Sequence, residues 1–407
     1  MIKTCQYRIY PTTKQRKMLE EVLEACQTLY NQALAMRKQA YEKHDESLSY
    51  KIQANHLTAL CQASCFWSSI HIDVLQDTLR RLDKAYQAFF RRAKADQDPG
   101  FPRFKGKGRY HSMTFSHLSK QLIRNVRKRM ARIVVPKIGH VAIRYHRPLP
   151  DGTIKNLTIQ RKASSWYANI AVKIADVPEV EVQTTTGVDV GLESFLTTSD
   201  DDKVHNPRHF RESEKQLSKA QRILSRRDKG SIRYQRQGEI VAKIHEHIAN
   251  QRRDFHCKTA HWLFSQCEEV AIEDLKIRNM VQNRHLAKNI SDAGWGTFQS
   301  ILQSKAANAG KQLTKVNPKY TSQKCSGYDT VVKKSLSVRI HDCPDCGLQL
   351  DRDHNAAINI KKAAIALRGG AVVANTPEKS RFIGERSAKP VSPRGRHHKP
   401  RPSGRGS

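Results

Sequence analysis

The apolar positions change their period twice along the chain. An alternating stretch, TCQYRIY, reads as a β-strand. Pro11 and Thr12 then open a run in which Leu19, Val22, Leu23, Cys26, Leu29 and Tyr30 recur at three- and four-residue steps, the spacing of one helix face. Two further helices are predicted over 50–63 and 72–95, the second with a stripe of Leu75, Leu79, Leu82, Ala85, Phe89 and Phe90, and Asp98-Pro99-Gly100 breaks the pattern. From about 113 to 176 the period becomes two: SMTFSHL, ARIVVPK, HVAIRYHRPL, IKNLTIQRK and WYANIAVKI read as strands of a small barrel or curled sheet, with Asp151-Gly152 as a turn. The lone first strand can join that later sheet, which makes the helices between them an insertion. From Glu181 a third unit begins. TTTGVDVGLESFLTTSD, two long basic helices, EEVAIEDL, a helix over 295–309, QLTKVN and the helix HNAAINIKKAAIAL follow the order of an α/β domain, interrupted by a cysteine-bearing insert at 320–350.

Charge adds a partner to this outline. The formal net charge is +34, and no Asp or Glu occurs between Pro99 and Pro150. A scattered charge run is ordinarily a solvated face, but here Phe101, Phe104, Tyr110, Phe115 and Tyr145 are interleaved with the cations. Cations for phosphates and rings for base stacking suit nucleic acid. A second basic region spans Lys215 to Lys258, and the end of the chain, 371–407, reads as a disordered basic tail rich in Pro and Gly. No run approaches the ~20 apolar residues of a membrane span, no signal-peptide pattern opens the chain, and nine irregularly spaced cysteines do not form a secreted disulfide framework. A cytoplasmic, nucleoid-associated protein with no membrane contact is expected.

Three acids stand where a charge is costly. Asp189 lies in GVDVG and Glu273 ends the apolar strand VAIEDL, so each must meet something positive; Asp353 opens the helix in DRDHNAAINI, where a cap is the simpler explanation. Together they can converge on one sheet edge and hold two divalent cations, Mg²⁺ suiting an all-oxygen set, for phosphodiester hydrolysis.

The motifs TGVDVG, SRRDKGSIRYQ, IANQRRDF, AIEDLKIRNM, ISDAGWGTFQ, YTSQKCSG, CPDCG and DRDHNAAINI, in this order, resemble the transposon-encoded TnpB (OrfB) family. RIYPTTKQ, LYNQAL, LQDTLRRLDKAYQAFF and GFPRFKGKGRYHSMTF extend the match over about residues 1–370. The resemblance implies an RNA-guided DNA endonuclease similar to type V CRISPR effectors. Its fold would be an α/β RNase H-like (RuvC) nuclease domain (181–319 and 351–370) with a zinc-ribbon-like insert (320–350), plus a β-barrel-like wedge domain (1–10 and 112–180) carrying an inserted helical recognition lobe (11–111). It further implies that Asp189, Glu273 and Asp353 are the metal-binding catalytic acids, and that the partners are a guide RNA from the transposon end and double-stranded DNA with a short adjacent motif. Asp353 rather than Asp351 matches the family pattern; Asp351 is then expected to cap or assist, and Arg352 and Asn355 to orient the site. Candidate nucleic-acid contacts are Tyr50 and Gln76 at the adjacent motif, and Arg103, Lys105, Lys107, Arg226, Arg227, Arg252 and Arg253 on the backbone.

The chain departs from the family in its insert. Zinc ribbons carry two CxxC pairs. Cys343-Pro-Asp-Cys346 is intact, but the first knuckle reads Cys325-Ser-Gly-Tyr328, and a neutral phenol is a poor zinc ligand. Three sulfurs plus His341, three sulfurs plus water, and no metal all remain open, so Zn²⁺ is in doubt. Loss of zinc would loosen the insert. Cys257 is expected to be an unpartnered thiol. The alternatives to a guided nuclease are an RNA-guided DNA binder or degenerate copy with little cleavage, and a transposase using the same two-metal chemistry.

Overall fold

The structure, a computed structural model, describes residues 1–118, 121–163, 165–335 and 338–373. The first strand, β1 (Ile2–Tyr10), is followed by α1 (Thr13–His44), α2 (Tyr50–Ala63), α3 (Cys65–Ser69) and α4 (Ile72–Lys94). Thr12 starts α1 with a reciprocal cap: its hydroxyl accepts the Gln15 amide at 3.3 Å, while the Gln15 side chain accepts the Thr12 amide at 3.1 Å. Strands β2 (Ser112–Phe115), β3 (Ile123–Arg127), β4 (Met130–Val135), β5 (Gly139–Arg144), β6 (Thr153–Lys162) and β7 (Ser165–Lys173) come next.

These strands form one sheet in the order β2-β6-β7-β1-β5-β4-β3, with β1 antiparallel to both β7 and β5. The first strand therefore sits at the centre of a sheet whose other strands begin 100 residues later, and α1 to α4 are inserted between them. Helices and sheet share one apolar core, in which Leu19, Leu34, Leu57, Leu75 and Leu79 meet Tyr7, Met113, Phe115 and Ile170. The predicted stripe on α4 is buried at Leu75, Leu79 and Leu82 but ends with Phe90 half exposed, because the helix outruns the core. Strand β3, IRNVR, is polar and mostly exposed at the sheet's end, so its sequence has no clear alternation to announce it.

Asp73 fastens the inserted helices to the sheet. Its buried carboxylate accepts the Ser116 and His117 amides at 2.8 and 2.7 Å and faces the His117 ring at 2.7 Å. Burial acts to raise its pKa, but these hydrogen bonds outweigh it and hold the carboxyl below its ordinary value. An acid whose folded pKa is depressed stabilises the fold above its unfolded pKa, and that contribution disappears as pH falls through the folded value. Asp73→Asn is therefore expected to cost about 1–3 kcal/mol at pH 7 and to flatten the loss of stability below about pH 4. Urea midpoints of both proteins at neutral and acid pH measure this; parallel curves would contradict it.

The third unit contains β8 (Thr185–Val190), β9 (Ser194–Thr198), β10 (Lys203–His205), α5 (His209–Ser225), α6 (Ile232–Gln266), β11 (Glu269–Glu273), α7 (Ile277–Met280), α8 (Ala287–Ala293), α9 (Trp295–Ala309), β12 (Gln312–Val316), β13 (Ile340–Asp342), β14 (Gln349–Asp351) and α10 (Arg352–Val373). Its sheet is mixed, in the order β10-β9-β8-β11-β12, with β8, β11 and β12 parallel. The two faces alternate residue by residue. Val188, Val270 and Ile272 enter a core with Phe264, Phe298 and Leu302 from α6 and α9, while Ala271 and Val316 pack on Ile360 and Ala364 of α10. Helix α10 runs three residues past the expected start of the basic tail, to Val373; residues 374–407 of that tail lie outside the described residues.

Candidate active site

The alternation decides where the acids point. Val188 faces α6 and α9, so Gly187 and Asp189 face α10; Ile272 faces α6 and α9, so Glu273 faces α10. Strands β8 and β11 are parallel with Val188 opposite Ile272, which sets Asp189 beside Glu273 at the carboxyl ends of neighbouring strands. Helix α10 begins over this end with Asp353 in its first turn. Gly187 permits the close approach: a Cβ there would lie 2.0 Å from the Ala357 carbonyl oxygen and 2.6 Å from the Lys361 nitrogen.

Electrostatics records the convergence. The Asp189 pKa is pushed well above the carboxylate range by burial first and then by the charges of Glu273 and Asp353, with Arg352 and the Val190 amide offsetting only part. Burial also raises Glu273, against a hydrogen bond from the Thr321 hydroxyl. Asp353 Oδ1 accepts Arg352 Nε and Nη2 at 3.3 and 3.2 Å, and its Oδ2 lies 3.7 Å from Arg339 Nη1. Asp351 has the separate work of capping α10: its Oδ1 accepts the Asp353 and His354 amides at 2.8 and 3.2 Å, and Oδ2 pairs with Lys203 at 3.0 Å. Arg352 thus grips an acid as expected, whereas Asn355 does not. The Asn355 side chain faces the insert, accepting the Ser326 amide at 2.9 Å and donating to the Lys324 carbonyl at 2.8 Å.

Asn359, one turn on, donates to the Thr321 and Lys324 carbonyls at 2.9 and 2.7 Å, and Lys362 donates to the Ser326 carbonyl. The first cysteine knuckle is therefore strapped to the helix that carries Asp353. The two asparagines stand four residues apart, and that spacing in HNAAINI was the available signal for a shared face.

Within the insert, Tyr328 is 68% exposed. His341, from β13, is fully buried, its Nδ1 meets Lys334 Nζ, and its Nε2 has no partner. Donor atoms of Cys325, His341 and Cys343 all lie within 4.8 Å of one another, and the Cys346 sulfur is 3.6 Å from that of Cys325. Among the described residues this is the set that meets that spacing; the three acids are more widely spread, as like charges are unless a cation joins them. Amide hydrogen bonds from Tyr328 and Gly327 lower the Cys325 pKa although burial opposes them, which favours the thiolate a metal needs. Purified protein is expected to contain one zinc, and His341→Ala to lose it at least tenfold more readily to a chelator. Tyr328→Cys should restore retention in that background; metal content after dialysis decides both.

The predicted nucleic-acid residues fall in several places. Tyr50 and Gln76 meet around Arg80, whose guanidinium lies 5.8 Å from the Tyr50 ring centroid and donates to Gln76 at 3.2 Å. Arg103 and Lys107 are exposed; Lys105 is held by Asn31 and lies 5.3 Å from the Tyr30 ring centroid. Arg226 and Arg227 project from the turn after α5. Arg252 pairs with Asp292 at 3.2 Å, while Arg253 is exposed and adds to the burial that lowers the Lys162 pKa. Cys257 is half-buried and unpaired, as expected.

The class of protein emerges from the fold. The chain is 12% identical to Cas12f1 in a Cas12f1–sgRNA–target DNA complex, with a TM-score of 0.59 over 89% of this chain and 98% of that one. It is 8% identical to the mini-RNA-guided endonuclease CRISPR-Cas_phi3, with a TM-score of 0.52 over 90% and 92%. The fold thus resembles that of these two CRISPR proteins. Sequence narrows the class further. Residues 169–284 match the OrfB family of IS605, described as "Probable transposase", residues 295–360 a Cas12f1-like TNB domain, and residues 1–46 a helix-turn-helix domain, although the last segment folds as β1 and the single helix α1. A Streptomyces pristinaespiralis protein named "Putative RNA-guided DNA endonuclease" is 33% identical over 89% of both chains. The Escherichia coli K12 protein "Putative RNA-guided DNA endonuclease InsQ" is 28% identical over 90% of this chain and 93% of its own. The chain belongs to the TnpB (OrfB) family.

Proposed function

We propose that this protein is an RNA-guided DNA endonuclease encoded by a transposon, with an RNase H-like RuvC site at Asp189, Glu273 and Asp353. The observation that carries the proposal is the placement of Asp189 and Glu273 on neighbouring parallel strands of a mixed sheet, both on the face covered by α10, whose first turn carries Asp353. Three half-buried carboxylates facing α10 fit divalent cations, because a cation offsets both the burial and the neighbouring charges that raise the Asp189 pKa. Bound Mg²⁺ ions would activate water and stabilise the leaving oxygen.

The chain's own residues hold that arrangement. Asp189 and Glu273 are delivered by neighbouring strands, Arg352 orients Asp353, and the Thr321 hydroxyl holds one Glu273 oxygen. The seven-stranded sheet serves as the wedge domain, the inserted helices as the recognition lobe, and Tyr50 and Gln76 as readers of the adjacent DNA motif. Guide RNA from the transposon end supplies base pairing, and the +34 charge supports grip on its backbone and the DNA. Cys325, Cys343, Cys346 and His341 provide a zinc set for the insert, so the missing cysteine does not remove its anchor. No helix among the described residues is long and apolar enough to cross a membrane; the +34 charge supports a place with the nucleoid.

Expression with the flanking transposon end, sequencing of the copurified RNA and incubation of guide-matched DNA with Mg²⁺ tests the function. Defined RNA and Mg²⁺-dependent cutting are expected. Defined RNA without cutting would favour the binder, and absence of defined RNA would remove both guided readings.

A further inference from the structure

A second charged site adjoins the three acids. A polar cavity of about 360 Å³ opens between the start of α5, helix α8 and the segment preceding β13, and its lining includes Glu193, Arg208, Arg211, Asn289, Asp292 and Arg339. Each of its carboxylates is engaged on one oxygen, while Asp292 Oδ2 is buried with no hydrogen-bond partner. Asp292 Oδ1 accepts the Phe210 amide at 3.0 Å and Arg252 Nη2 at 3.2 Å, and Glu193 pairs with Arg339 at 3.1 Å. Two cations remain without an acid. Arg211 donates to the neutral Asn289 amide oxygen at 2.8 Å, and neither Arg208 nor Arg211 forms an ion pair among the described residues. Guanidiniums gathered in a polar hollow repel one another until an anion joins them, and their planar forks match the oxygens of a phosphate.

Arg339 fixes how far this hollow is from the chemistry. One guanidinium nitrogen reaches Glu193 inside the cavity, while the other lies 3.7 Å from Asp353 Oδ2. The cavity and the three-acid site are one side chain apart. The geometry points to a phosphate subsite: Arg208 and Arg211, closed by Arg339 from the cysteine insert, hold a backbone phosphate of the DNA strand being cut, next to the scissile one. This inference rests on the nuclease proposal for the identity of the strand. It also gives the insert a task in substrate binding, because Arg339, just before β13, lines the cavity.

The strand-binding test does not depend on cutting. Full-length protein is titrated with a fluorescein-labelled single-stranded oligodeoxynucleotide in EDTA across a salt series. Arg208→Ala/Arg211→Ala should reduce the log K against log salt slope by about 0.7, the amount expected for one phosphate on a single strand. Arg208→Lys/Arg211→Lys should retain the slope. In guide-loaded protein, a single neutral methylphosphonate moved through the phosphates flanking the cut should slow wild type at least tenfold at one position. The double alanine variant should be slowed comparably on unmodified DNA and lose nothing more at that position. An unchanged salt slope, or a methylphosphonate penalty carried over in full to the variant, would overturn the subsite. If wild type fails to cut at all, the nuclease proposal falls, while the salt slope still decides whether the pocket holds phosphate.

Discussion

Asp189→Asn is expected to lower guided DNA cleavage by at least a thousandfold, about 4 kcal/mol of transition-state stabilisation, and at the same time to raise the melting temperature of the metal-free protein. The two effects have one cause. Asp189 is half-buried, and burial together with the charges of Glu273 and Asp353 displaces its pKa upward in the fold. An acid whose folded pKa is raised destabilises the fold once pH exceeds its unfolded value, so at pH 7 Asp189 works against folding, either by carrying its charge there or by taking up a proton. Asparagine has nearly the same shape without the charge, which relieves that repulsion while removing a cation ligand. Melting in EDTA and in Mg²⁺ separates the effects: wild type should gain stability from Mg²⁺, and the variant should begin higher and gain less. A variant that melts lower in EDTA, or that still cuts at near wild-type rates, would refute the assignment of Asp189.

The second large effect is expected from one methyl group. Gly187→Ala places a Cβ 2.0 Å from the Ala357 carbonyl oxygen and 2.6 Å from the Lys361 nitrogen, atoms of the α10 backbone that no rotamer can move aside. Relief requires α10 to shift away from β8, which carries Asp353 from Asp189 and pulls on the asparagine strap to the knuckle. A loss of about 3 kcal/mol, the upper part of the usual cost of overpacking, is expected, with cleavage largely lost. Ala357→Gly should not rescue the variant, because the clash is with main chain. Gly238→Ala serves as the control: it lies within α6 with nothing within 4 Å of its added Cβ, and it should be neutral or stabilising by about 0.5–1 kcal/mol. Urea unfolding of the variants measures the difference, and equal midpoints for Gly187→Ala and wild type would show that the close approach is dispensable.

Much of the fold was legible because its signals are local. The three- and four-residue steps through Leu19 to Tyr30 anticipated α1, the stripe from Leu75 anticipated α4, and the alternation in WYANIAVKI anticipated β7. Strand β3 escaped because its polar, solvent-facing residues leave little periodicity. The three acids stood out as candidates for a different reason: each interrupts an apolar segment or opens a helix, and a charge in such a place calls for an explanation. Asn355 was misread, since a polar residue beside a candidate catalytic acid can turn toward the acid or toward a neighbouring loop, and only the helix rotation selects between them. Arg208, Arg211 and Arg339 gave no signal at all in a chain this basic.

The amino-acid sequence alone determined the kinds and order of most elements, the basic character, the three candidate acids and the defective CxxC knuckle, because periodicity, charge and short motifs are written within a few residues. Only the tertiary structure decided that β1 occupies the middle of a sheet built mainly from later strands, that α10 lies against Gly187, that His341 turns inward among the cysteines, and that three arginines from two distant segments share one cavity with an acid of the site. Those outcomes depend on strand register and helix rotation across tens to hundreds of residues. They are settled by the packing of whole faces, which no local pattern encodes.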